Sequence, residues 1–254
     1  MELGLIGFGA VARFLLEAVN EQGLVPRARF TRVAVREESL EGRDPDRGVV
    51  WCTPQELVEA PVEVVVEAAS VKAAAEWTVP LVEAGKQVVL LSVGALADSE
   101  LRRRLEAVQA RGGGKVYVPA GAVGGLDLLE AMQMGGLDGV RLTTTKPPAA
   151  LAGAPAGILY AGPATEAIRR YPQNVNVAVA VGLAGVGPES TQVVLQSDPG
   201  VSANVHQVEA WGRSGRVALR VENRPLPDNP KTSYLAALSV LAVLKKFSEP
   251  IWLV

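Results

Sequence analysis

A short strand that runs straight into a glycine turn constrains this chain more than any other feature. Glu2-Leu3-Gly4-Leu5-Ile6 is mostly apolar and leads at once into Gly7-Phe8-Gly9-Ala10-Val11-Ala12. From Ala10 onward, Val11, Phe14, Leu15, Ala18 and Val19 recur at helical spacing. Strand, Gly-x-Gly-x-x-Ala turn and helix, in that order, form the dinucleotide-binding fingerprint. Gly7 permits the tight turn, and Gly9 withholds a side chain that would block a pyrophosphate. Ala12 stands in for the third glycine, where the motif needs only close helix–strand packing. Ala10 and Val11 open the helix, whose free N–H groups and positive dipole end favour phosphate. The turn alone also fits a merely structural bend; its position between strand and helix favours nucleotide binding.

The amino-terminal half continues the alternation. Residues 29–36 read as a second strand and 48–51 as a short third. Residues 62–69 are a nearly continuous apolar run, as expected of a strand buried on both faces. A helix over 71–84 follows, closed by Gly85, and 87–92 is another buried strand. Asp98 or Ser99 caps a helix to about residue 111, and 115–119 is a sixth strand. This predicts an α/β fold with an amino-terminal Rossmann doubly wound parallel sheet. Beyond residue 120 the pattern changes. Strands are expected at 139–145, 158–161, 191–197, 205–211 and 216–222, the last two joined by a hairpin turn at 212–215. Helices are expected near 124–134, 164–171 and 175–184. The second domain is therefore a smaller mixed α+β substrate and dimerisation domain. A last helix at about 231–247, after Asn229-Pro230, is expected to return to the first domain and leave a cleft between the two. The expected boundaries are 1–120, completed by 229–254, and 121–228.

Composition narrows the function. A net charge of −2 over 254 residues offers no field for nucleic acid or a membrane surface. The one cysteine, Cys52, precludes an intrachain disulfide and fits a reducing compartment. The apolar stretches at 177–186 and 235–244 fall short of the roughly 20 residues of a membrane span. The start lacks a signal-peptide pattern, so a cytoplasmic protein is expected. No metal site is expected.

Several residues are candidates for chemistry. A nicotinamide-binding domain usually ends its second strand with an acid for the adenosine ribose. Here that position reads as Arg36, which suits the 2′-phosphate of NADP; a register one residue later gives Glu37 and favours NAD. Ala68, Ala69 and Ser92 end buried strands at the carboxyl edge, where ligands sit in open parallel sheets. His206 is the only histidine, and its type titrates near neutrality, at about 6.5. Strand alternation puts Asn204 on the same face. His206 reads either as a general base or as a satisfied core residue. Lys231, Thr232 and Ser233 cluster at the expected start of the last helix, as anion donors or simply as its cap. Lys146, before two prolines, faces either a cleft or solvent. Asn174 and Asn176 head an apolar helix, one of them as its N-cap.

Four further segments converge: Pro119-Ala120-Gly121-Ala122-Val123-Gly124-Gly125-Leu126-Asp127, Thr145-Lys146-Pro147-Pro148, Asn174-Val175-Asn176-Val177-Ala178 and Asn229-Pro230-Lys231-Thr232-Ser233. With the glycine turn and Asn204-Val205-His206, this set resembles the L-aspartate dehydrogenase family over essentially the whole chain. The resemblance implies a two-domain oxidoreductase using NAD or NADP. It implies oxidation of L-aspartate to iminoaspartate, which hydrolyses to oxaloacetate and ammonia, and a supply of iminoaspartate to NAD biosynthesis. It assigns His206 as the active-site histidine and Ala122 and Asn176 as cofactor contacts, and it suggests a homodimer. Arg36 departs from the acid of some members. The substrate's two carboxylates would need donors, for which Lys231, Thr232, Ser233 and Asn204 are candidates. Homoserine dehydrogenase or dihydrodipicolinate reductase are rival readings on a similar plan, but the reductase's paired-histidine signature is missing. A non-catalytic NAD(P)-binding sensor would have no need of His206.

Overall fold

The computed structural model describes residues 1–42, 48–171 and 175–251, without the side chains of 175, 230 and 231. The chain divides into two compact units. One joins Met1–Pro119 to the segment from Ala237 onward; the other is Ala120–Ala236.

In the first unit, β1 (Glu2–Ile6) is buried on both faces from Leu3 on, which requires neighbours on each edge and cover above and below. It has them. β2 (Arg29–Ala34), β3 (Val50–Cys52), β4 (Val64–Glu67), β5 (Gln87–Leu90) and β6 (Val116–Tyr117) join it in the order β3-β2-β1-β4-β5-β6. Every pairing is parallel. The order reverses between β1 and β4, the switch point at whose carboxyl edge such sheets bind ligands. Helices α1 (Ala10–Asn20), α2 (Pro54–Glu59), α3 (Val71–Glu83) and α4 (Ser99–Ala110) cover it. Leu15, Leu16 and Val19 of α1 pack with Leu3, Leu5, Phe30 and Val66 of the sheet. The third strand begins two residues later than expected and includes Cys52, whose thiol is pushed up to about 11 by burial. Helix α2 is unanticipated, yet its signal lies in Thr53-Pro54-Gln55-Glu56: Thr53 Oγ1 accepts from the Glu56 amide and Glu56 accepts from the Thr53 amide.

The second unit holds β7 (Leu137–Lys146), β8 (Gly157–Pro163), β9 (Gln192–Ser197), β10 (Asn204–Gly212) and β11 (Gly215–Asn223) in the order β11-β10-β7-β9-β8. β7 and β9 are parallel and the other pairs antiparallel. Helices α5 (Leu126–Gly135), α6 (Ala164–Arg170) and α7 (Val175–Ala184) bury Leu129, Ala167 and Val181 against Val140, Leu142, Val208 and Ala210. The opposite face carries Arg141, Gln207, Glu209 and Arg220; there Arg141 and Arg216 meet the Glu209 carboxylate at 3.7 and 2.7 Å.

The last helix departs from expectation. Residues 231–233 are not its first turn. Asn229–Ser233 is a strand, β13, antiparallel to β12 (Pro225–Leu226), and helix α8 spans Tyr234–Lys246. Ser233 pairs with Pro225, and the Tyr234 amide donates to the Arg224 carbonyl at 2.9 Å, so ladder bonds hold the backbone extended until Tyr234. Beyond Ala236, α8 contributes Val240, Leu241 and Leu244 to the core of the first unit. Among the described residues, no helix is long and apolar enough to cross a membrane.

Candidate active site

In the first unit the predicted cofactor residues converge on the carboxyl edge at the switch point. The Gly7 amide donates to the Ala34 carbonyl at 2.9 Å and the Ala68 amide to the Ile6 carbonyl at 3.0 Å, which ties the glycine turn to the ends of β2 and β4. Gly7 has φ +93°, and a Cβ there would lie 2.8 Å from both Cα and Cβ of Ala69. Gly9 is different. It caps α1 with an extended backbone and no side-chain bond, and a Cβ on it would meet nothing within 4 Å. The protein's own packing gives no reason for glycine at that position, whereas a ligand approaching the amides of Ala10 and Val11 does. These residues therefore fit a dinucleotide. Arg36 stands just beyond β2, in an exposed pair with Glu38 at 3.2 Å, and Glu37 beside it is exposed as well.

Glu67 is a residue the sequence reading passed over. It is the one acid of β4 and its last residue, with 1% of its surface exposed. Its Oε1 accepts from the amides of Ala69 and Ser70 at 2.9 and 3.0 Å and from the Ser92 hydroxyl at 3.1 Å; its Oε2 accepts from the Ser92 amide at 2.9 Å. Burial pushes its carboxyl upward and these four bonds oppose the shift. The predicted residues Ala69 and Ser92 are thus both held by one carboxylate.

In the second unit, antiparallel register places His206 opposite Thr144 and Asn204 opposite Asn223. His206 is 5% exposed, and its Nδ1 lies 3.0 Å from Thr144 Oγ1. Lys146, two residues beyond Thr144, shares that face of the sheet. Burial first, and the Lys146 charge second, hold the imidazole down at about 4, so it is neutral at physiological pH. Burial also pushes the Lys146 ammonium below its usual range. Thr144 escaped the sequence reading because threonine is ordinary in a strand and only register sets it beside His206.

Asn223, 3% exposed, joins two predicted segments. Its Nδ2 donates to the Ala122 carbonyl at 2.9 Å, and its Oδ1 accepts from the Ser233 hydroxyl at 2.5 Å. The Ser233 proton is thereby directed at Asn223. Thr232 Oγ1 accepts from Asn229 Nδ2 at 2.8 Å, which leaves its own proton to donate. Both residues close β13, and Ser233 immediately precedes Tyr234, the first residue of α8. Asn176 is exposed in the first turn of α7. Asn174 and the side chain of Lys231 lie outside the described residues. Among the described residues, no cluster of His, Cys, Asp and Glu could hold a metal ion.

Comparison with known proteins bears on both units. Residues 127–247 match the family described as aspartate dehydrogenase, C-terminal, and 7–119 match homoserine dehydrogenase, NAD binding domain. An L-aspartate dehydrogenase of Methanosarcina barkeri is 44% identical over 213 residues, 78% of either chain. This chain belongs to the L-aspartate dehydrogenase family. Its Methanosarcina mazei member is 37% identical over 270 residues, 99% of this chain and 98% of its own. The crystal structure of aspartate dehydrogenase from Thermotoga maritima matches with a TM-score of 0.82 at 27% identity, covering 100% of this chain and 99% of that one. The L-aspartate dehydrogenase fold, a Rossmann sheet followed by a mixed sheet, is therefore the fold of this chain.

Proposed function

We propose that this protein oxidises L-aspartate to iminoaspartate with NAD or NADP, and that iminoaspartate hydrolyses to oxaloacetate and ammonia. The observation that carries the reading is His206: the chain's only imidazole is buried, neutral and held by Thr144 beside a desolvated lysine, in a chain with L-aspartate dehydrogenase relatives. When bound, the nicotinamide supplies the hydride acceptor. The chain's residues do the rest. An ammonium cannot push electrons into a forming C=N bond, so the substrate nitrogen must first lose a proton. A neutral imidazole accepts it at Nε2 when its Nδ1–H donates to Thr144 Oγ1. The alternative tautomer, with the Thr144 hydroxyl donating to Nδ1, leaves Nε2 protonated and unable to act. An imidazole held at about 4 is a weak base in the free enzyme. The carboxylates of bound aspartate oppose the Lys146 charge and raise it toward the working pH. Lys146, Asn204 and Thr232 are the donors we assign to those carboxylates, with Lys231 as a further one. Ser233 acts by holding Asn223, and Ala122 and Asn176 contact the cofactor.

Arg36 supports acceptance of NADP. Its pair with Glu38 is exposed and weak, so the guanidinium is available to a 2′-phosphate, while Glu37 beside it suits the ribose of NAD. Iminoaspartate is short-lived, which favours prompt capture by an enzyme of NAD biosynthesis. A cytoplasmic homodimer completes the reading, with the open face of the second sheet as the shared surface. The test is reduced-cofactor absorbance with L-aspartate, using NAD and NADP separately, on wild type and His206→Ala. Reduction that collapses at least a hundredfold in the variant, with cofactor binding retained, is the expected result. No reduction with either cofactor, and no reverse reaction with oxaloacetate and ammonia, would refute it.

A further inference from the structure

We propose that Glu67 is a positioning residue for the cofactor, its carboxylate clamping the loops after β4 and β5 into the wall on which the dinucleotide lies. The inference rests on the pyridine nucleotide reading and deepens it. A carboxylate out of water is costly unless its lone pairs are satisfied, and replacing it by an apolar residue is often neutral where the charge serves only packing. Glu67 sits in a run of valines, Val64-Val65-Val66, that would extend the core without penalty. What it holds is not core. Ala69 and Ser70 are exposed and Ser92 is half-buried, and all three follow strands at the carboxyl edge. Ala69 is the residue against which Gly7 packs, so the clamp fixes the wall opposite the glycine turn. Ser70 in turn caps α3, its Oγ accepting from the Ala73 amide at 3.1 Å. One side chain therefore sets three segments: the β4–α3 turn, the loop after β5 at Ser92 and, through Ala69, the approach to Gly7. Three of its four donors are backbone amides, which persist whatever side chain other than proline stands at Ala69, Ser70 or Ser92. That is why the role is invisible without the fold.

The test compares wild type, Glu67→Gln and Glu67→Asp as full chains. Glutamine turns an NH2 toward an amide that needs an acceptor, and aspartate keeps the charge but withdraws it by one methylene. The affinity for NADH and NADPH is read by fluorescence titration and that for NAD and NADP by calorimetry. We expect both variants to weaken oxidised and reduced forms alike by about tenfold or more, the scale of one lost charged hydrogen bond. The KM for cofactor should rise in step, with kcat at saturation and the KM for aspartate changed less than about threefold. Affinities within about twofold of wild type, or a loss confined to the oxidised forms, would overturn the clamp. If neither variant folds, hydrogen exchange on the wild type decides: amides of Ala69, Ser70 and Ser92 protected without cofactor support the clamp, and freely exchanging amides refute it. Failure of the wild type to bind any of the four nucleotides would instead sink the cofactor reading.

Discussion

A histidine 5% exposed beside a lysine no longer titrates where histidine does in water. In the unfolded chain His206 takes a proton at about 6.5, but in the fold only at about 4. Between those values the unfolded state binds more protons, so stability rises with pH there and falls as pH drops. The neutral form's contribution, about 3 kcal/mol, is present above pH 6.5 and lost progressively toward pH 4. Urea unfolding across that window should show the loss in wild type and a flatter profile in His206→Gln. The two glycines of the turn separate just as sharply. Gly7→Ala forces a left-handed φ and drives a Cβ to 2.8 Å from Ala69. It should cost about 2–4 kcal/mol in thermal unfolding. Gly9→Ala has φ −79° and open space, so stability should stay within about 0.5 kcal/mol. Nucleotide affinity, read by fluorescence, should nevertheless fall. Equal destabilisation by both would show that Gly9 is structural.

Elements are tied to one another by single buried groups. Asn223 closes β11, and its amide spans the loop at Ala122 and the end of β13 at Ser233. Asn223→Ala would leave the Ala122 carbonyl and the Ser233 hydroxyl without that partner, at a cost of about 1–3 kcal/mol. Asn223→Asp retains an acceptor for Ser233 but turns a carboxylate toward a carbonyl, so it should be no better. Urea midpoints of both variants check this, and an Asp variant as stable as wild type would mean that the Ala122 bond contributes nothing. The late start of α8 has the same kind of origin. Locally, Asn229-Pro230 followed by Lys-Thr-Ser reads as a helix start; β-pairing with Pro225–Leu226 overrides it.

At the scale of the molecule, the first unit is not contiguous in sequence. Val240 and Leu244 of α8 are fully buried and Leu241 nearly so, all in a cluster with Leu3, Leu5 and α1. Each such side chain is worth about 1.5–3 kcal/mol, so together they rival the roughly 5–15 kcal/mol of a whole domain. A chain ending at Ala236 should lose cooperative unfolding of the amino-terminal unit in a circular dichroism melt, and nucleotide binding with it. A melt unchanged in midpoint would show that the helix is dispensable.

The amino-terminal sheet and the glycine turn at its carboxyl edge were legible from the sequence because their signals are local. A valine run marks β4, helical spacing marks α1, and Gly-x-Gly-x-x-Ala sits between strand and helix. The capping box of α2 was legible too and was missed. The single histidine and its strand were visible; its state was not, since desolvation by residues distant in sequence sets it. Thr144 reaches His206 across 62 positions, Glu67 reaches Ser92 across 25, and Asn223 reaches Ala122 across 101. Local pattern fixed most of the elements, with β13 the exception that pairing with Pro225–Leu226 decided. Tertiary structure alone decided which buried polar groups meet, because a polar group out of water must find its partner wherever the fold brings one.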